Sequence, residues 1–95
     1  MTTATVAELI GDAQRQIGRC MTTPSVGDVT VQIRVIFSPD GAAKDAHVSD
    51  SARMETDMAY RVMAESAYRA VFMCPIHLPP ERYSDWRELT LSFGP

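Results

Sequence analysis

Residues 29–41 read VTVQIRVIFSPDG. Val29, Val31, Ile33, Val35 and Phe37 alternate with Thr30, Gln32, Arg34 and Ile36, the period of two that sends one set of side chains to a buried face and the other to water. The pattern predicts a strand over 29–37, and its apolar content places it at the centre of a sheet. Ser38, Pro39, Asp40 and Gly41 supply a turn, proline presetting φ and glycine accepting a positive one. The returning segment, roughly Ala42 to Ser49, is polar and carries Lys44, Asp45 and His47. It suits an edge strand, where charge deters adventitious pairing.

Downstream, Ala59, Val62, Met63, Ser66, Ala67, Ala70, Val71 and Cys74 recur at helical spacing, predicting a helix from Thr56 or Asp57 to Met73. Pro75 stops it. Pro79 and Pro80 open an irregular stretch, PPERYSDW, with room for a helical turn. Leu89, Leu91 and Phe93 then alternate with Glu88, Thr90 and Ser92, a final strand of about six residues. Upstream, Thr5 and Glu8 have the spacing of a capping box. A helix starting there shows Val6, Leu9, Ile10, Ala13, Ile17 and Cys20 on one face, with Asp12, Gln14, Arg15 and Arg19 toward water. Gly11 and Gly18 weaken it, and MTTPSVGD, with Pro24 and Gly27, ends it.

The order helix, strand, strand, helix, strand implies an α+β domain: a three-stranded antiparallel sheet with the helices packed on one face. At 95 residues and 10.5 kDa the whole chain, 1–95, is one domain. A formal charge of -3 argues against nucleic acid as a partner, because phosphate binding draws on Lys and Arg. No apolar run reaches the ~20 residues of a spanning helix, and the first residues lack the basic and apolar regions of a secretory leader. The chain reads as a soluble monomer without direct membrane contact.

Little here carries chemistry. Cys20 and Cys74 lie at the ends of the two helical stripes, so they form either a disulfide or a pair of buried thiols. Cys74 and His77, joined by Cys20 and His47, make at best a fragment of a metal site, since structural zinc draws on two close-spaced ligand pairs. A Cys/His enzyme lacks an orienting third group and an oxyanion loop. The reading is therefore no catalytic residue, no metal and no cofactor. Tyr83 and Trp86 are expected to pack together, and of Met54, Met58, Met63 and Met73, three fall within the predicted second helix as core or flank. The remaining candidate is main chain. Leu89, Thr90, Leu91, Ser92 and Phe93 form an outer strand whose free N–H and C=O groups suit an added partner strand. Residues 42–49 are the competing edge, and the first helix is a candidate shield for the C-terminal one.

The hairpin FSPDGAAKDAHV, the helix carrying MAESAYRAVFMC, and then PIHLPPERYSDWRELTLSFGP occur in an order that resembles the C-terminal domain of TolA, with the TonB C-terminal fold a cousin. The resemblance implies a periplasmic domain of an inner-membrane-anchored protein, carried on an upstream membrane helix and helical stalk that these 95 residues do not include. It implies TolB-like partners, with phage coat proteins and colicins exploiting the same domain in the Tol-Pal cell-envelope system. An oxidising periplasm also favours the Cys20–Cys74 bridge. The alternatives are a TonB-like domain gripping the terminal box of outer-membrane receptors and, from another class, a small cytoplasmic Cys/His enzyme.

Overall fold

A computed structural model describes residues 5–21 and 29–94. Its elements are α1 (Val6–Gly18), β1 (Val31–Phe37), β2 (Ala43–Val48), α2 (Met58–Met73), α3 (Tyr83–Trp86) and β3 (Glu88–Phe93). Short 3-10 turns at Ser51–Glu55 and Pro80–Arg82 precede α2 and α3. The predicted α+β order holds. Most of the predicted break after α1, with Pro24 and Gly27, falls outside the described residues.

The sheet order is β2-β1-β3, all antiparallel, with β1 central. Val31, Ile33, Val35 and Phe37 are fully buried. They share the helix-covered face with Ala46 of β2 and with Leu89, Leu91 and Phe93 of β3, while Gln32, Arg34, Thr90 and Ser92 face solvent. One covered and one wet face is the usual condition of an antiparallel sheet. Val29 and Thr30 precede the ladder, so β1 is shorter at its start than the alternation suggests.

The β1–β2 hairpin closes as Ser38 N–H donates to Ala42 O (2.8 Å) and Gly41 N–H to Ser38 O (2.9 Å). Gly41 has φ 89°, a conformation that a Cβ disfavours. A Cβ there would also overlap the Ile76 carbonyl oxygen. The turn thus touches the irregular segment after α2, and Ile76 N–H donates back to Gly41 O (3.0 Å). The register shifts between Ile36 and Phe37, leaving Lys44 as the extra residue of a bulge, a device that bends and blunts an edge.

Helix α1 begins with the predicted capping box: Glu8 N–H donates to Thr5 Oγ1 and the Glu8 carboxylate receives the Thr5 N–H. Leu9, Ala13 and Ile17 are buried, Ile10 is partly buried, and Val6 is exposed. Helix α2 is capped by Asp57, which accepts from Tyr60 N–H (3.1 Å) and from the Arg53 guanidinium. Its buried face is Tyr60, Met63, Ala64, Ala67, Ala70 and Val71. This rotates the predicted face: Val62 is exposed, and Tyr60 and Ala64 take the inner positions. Met58 and Met73 are 71% and 70% exposed, so of the helical methionines only Met63 is core. The physical reason is that α2 is apolar on two sides, and periodicity alone cannot say which side meets the sheet.

Gly41→Ala should lower stability by more than about 2 kcal/mol through backbone strain and the clash with Ile76. Gly18→Ala, whose Cβ meets nothing within 4 Å, should raise it by up to about 1 kcal/mol; urea denaturation compares the two. A second expectation concerns Asp57, whose carboxyl is held below its ordinary 3.8 mainly by the Tyr60 N–H and then by Arg53. A depressed folded value means the contribution is complete above 3.8 and disappears as pH falls through the folded value. Asp57→Asn keeps a capping oxygen without the charge, so its stability should decline less steeply than wild type on acidification below 3.8, read by denaturation at stepped pH.

Candidate docking edges of the sheet

A single bridge accounts for both cysteines. Cys20 and Cys74 are joined as a disulfide with Cα atoms 6.4 Å apart and 54 positions between them in sequence numbering, within the usual span. It ties the C-terminal ends of α1 and α2. Neither sulfur is then available as thiolate nucleophile or metal ligand, which removes the chemistry a Cys/His enzyme would need. His77 is exposed, and its main chain is held at both ends by Gln16: His77 N–H donates to Gln16 Oε1 (2.7 Å) and Gln16 Nε2 donates to His77 O (3.0 Å). His47 lies on the solvent face, 3.1 Å from the Asp45 carboxylate. Among the described residues no group of three or more His, Cys, Asp or Glu converges on a metal position.

Tyr83 and Trp86 do pack together, edge to face with centroids 4.8 Å apart, and Trp86 meets Phe37 in the same manner at 6.4 Å. Trp86 Nε1–H donates to Pro79 O (2.8 Å), and Tyr83 Oη–H donates to Phe37 O (2.6 Å). The indole is 1% exposed. These rings clamp the PPERYSDW stretch onto the end of β1, Trp86 within the core and Tyr83 partly buried at its margin.

The edges follow from hydrogen-bond parity. In an antiparallel ladder alternate residues turn their main-chain groups toward one neighbour and then away from it. Phe37 N–H donates to Arg87 O (2.7 Å), so the odd residues of β1 bond to Leu89, Leu91 and Phe93. Those three residues therefore spend their main chain inside the domain and their side chains in the core. Of the five residues predicted as the docking strand, only Thr90 and Ser92 turn main-chain groups outward, and Glu88 joins them. Ser92 N–H is already taken, donating to Gln14 Oε1 of α1 (2.8 Å). Gln14, expected to face water, shields one end of this edge instead. The open stretch of β3 is Glu88 to Thr90, with Ser92 O.

The same parity applies at β2. Ser49 N–H donates to Gln32 O (2.9 Å), so Ala46 and Val48 turn their main chain outward. Ala46 N–H is occupied by the adjacent Asp45 Oδ1 (2.9 Å). Among the described residues, each edge thus has one outward N–H covered by a side chain.

No known family model matches this sequence, and no curated protein matches it. A solved structure does: the solution NMR structure of TolAIII bound to a peptide derived from the N-terminus of TolB superposes with a TM-score of 0.64 over 100% of this chain and 78% of that one, at 21% identity. The chain has the TolA domain III fold. At this identity the likeness concerns architecture, and the resemblance read from the order of hairpin, helix and terminal strand is matched at that level. TolAIII is a domain solved in contact with a peptide.

The disulfide closes a long loop, for which the chain-entropy model gives about 4 kcal/mol. Cys20→Ser and Cys74→Ser should each lose close to that amount and match one another, as should the reduced wild type. A large difference between the two variants in urea denaturation would show that one sulfur has a role outside the bridge.

Proposed function

We propose that this chain is a protein-binding domain of a Tol-Pal type cell-envelope system, lying in the periplasm as the soluble C-terminal part of an inner-membrane-anchored protein. It docks an extended segment of a TolB-like partner by β-strand addition at the outer edge of β3. The observation that carries the reading is the outward main chain of Glu88 and Thr90 on the outer edge of β3, within a fold whose solved representative holds a TolB peptide. A strand laid there gains main-chain hydrogen bonds, and its alternate side chains give selectivity. The Cys20–Cys74 bridge supports an oxidising compartment. Colicin domains and phage coat proteins are further partners of the same class, and a TonB-like domain binding receptor boxes is the rival within it.

The test is a titration of the labelled domain with a peptide from the N-terminus of TolB, followed by backbone amide shifts. Saturable shifts at 88–92 are expected. Parity also selects the informative variant. Thr90→Pro removes an outward donor and leaves the β1 ladder whole, and edge strands tolerate proline. Thr90→Ala keeps the donor. Proline at 90 should weaken peptide binding at least roughly tenfold, the cost of about one charge-free hydrogen bond lost at an interface, while alanine leaves it nearly unchanged. Equal binding by both folded variants would exclude this edge. Binding of a receptor-box peptide with no response to the TolB peptide would transfer the reading to the TonB-like class.

A further inference from the structure

Helix α2 meets the sheet with one side and leaves the other uncovered. On the uncovered side Met58, Val62, Glu65, Arg69 and Phe72 follow one another in steps of four, three, four and three, the seam along which helices pair. Met58, Val62 and Phe72 are exposed, and so are Tyr68 and Met73 beside them. The Tyr68 and Phe72 rings lie against each other with centroids 5.1 Å apart, so two large rings stand together at the C-terminal half of the seam. A contiguous exposed apolar surface of this kind marks an interaction site.

The two charged residues at the middle of the seam decide the occupant. Glu65 accepts from Arg61 Nε on its own helix (3.0 Å), and Arg69 makes no ion pair or hydrogen bond among the described residues. Polar groups within an apolar seam fix register and orientation. Laid parallel and in register on a second copy of itself, α2 sets Glu65 against Glu65 and Arg69 against Arg69, which repel. Laid antiparallel about a two-fold axis level with Ala67, it sets Glu65 against Arg69 of the second copy and Val62 against Phe72 of the second copy. Positions equally far before and after Ala67 face each other in this arrangement, and the two-fold axis repeats each contact. Met73 then lies along the aliphatic stem of the second copy's Arg61. The seam is self-complementary in charge and in apolar content only in this orientation.

We propose that the outer face of α2 is a self-association surface on which a second copy of this chain docks antiparallel, giving a two-fold dimer. A contact confined to one helix of 16 residues is smaller than the interfaces of stable complexes, so the dimer is weak and forms at high local concentration. No residue of β3 takes part, and the inference is independent of the reading of that edge.

Sedimentation equilibrium of the full chain between ~10 µM and ~1 mM should show the apparent mass rising from 10.5 kDa toward twice that value. Amide shifts over the same range should fall at Val62, Glu65, Arg69 and Phe72 and leave 88–92 unmoved. Charge reversal separates this contact from unspecific apolar adhesion. Glu65→Arg alone or Arg69→Glu alone sets like charges at both contacts and should weaken association at least roughly tenfold. An equimolar mixture of the two variants restores opposite charges at both contacts and should associate like wild type. Phe72→Ser, at an exposed position that leaves the core intact, should weaken association by a comparable factor without a change of charge. A constant 10.5 kDa across the range, association indifferent to Phe72→Ser and to either reversal, or a mixture no better than its components would each overturn the proposal. Concentration-dependent shifts confined to 43–48 or 88–93 would overturn it in favour of pairing between sheet edges.

Discussion

The fold rests on a mismatch of widths. Three strands spaced about 4.8 Å apart make a sheet just under about 10 Å across between its outer strands, whereas two helices packed side by side have axes about 8–10 Å apart and each is about 10 Å thick, so together they span nearly twice that width. The helical layer must overhang. Alanines at 64, 67 and 70 let α2 approach the β1–β2 half closely, and α1 covers the β3 half with Leu9, Ala13 and Ile17. At the β3 side the overhang is used: Gln14 reaches Ser92, and Gln16 grips His77. At the β2 side no described residue fills the space, and the groove between Ala46 and Tyr68 is the result.

That asymmetry makes the position of α1 a determinant of which edge is open. The helix is fixed at its start by the Thr5–Glu8 box, along its length by its apolar stripe, and at its end by the bridge to Cys74. Three different kinds of interaction hold one short element, each modest except the covalent one. An isolated helix of this length would be marginal in water. Its placement is therefore a tertiary property, and so is the shielding of Ser92.

Much of this architecture was legible because its causes are local. The alternation in 29–37 and 88–93, the turn at Pro39 to Gly41 and the capping box each depend on residues a few positions apart, and each appears where the pattern puts it. The inner face of α2 was not legible. Met58, Val62, Phe72 and Met73 form an exposed apolar face opposite Met63, Ala67 and Ala70, so two stripes compete and only contact with the sheet decides between them. Gln14 was read as solvated for a related reason: its partner is 78 positions away, and no periodicity encodes that. The C-terminal edge strand was located by sequence, but which of its residues face outward depends on the parity of the β1 ladder, set by the Phe37–Arg87 bond.

The side-chain caps at the two edges explain how a small domain can keep both open. A long bare edge invites aggregation, yet a closed one binds nothing. Gln14 on Ser92 N–H and Asp45 on Ala46 N–H cover one donor at each edge, and the bulge at Lys44 blunts β2 further. A typical hydrogen bond contributes a net ~1 kcal/mol. An incoming carbonyl that replaces such a cap exchanges one bond for another at little net cost. A stray strand that pairs only briefly with the remaining groups gains little. On the proposed strand-addition reading, a matching partner displaces the cap, and the side chains that flank the edge would set selectivity while the main chain supplies the common grip.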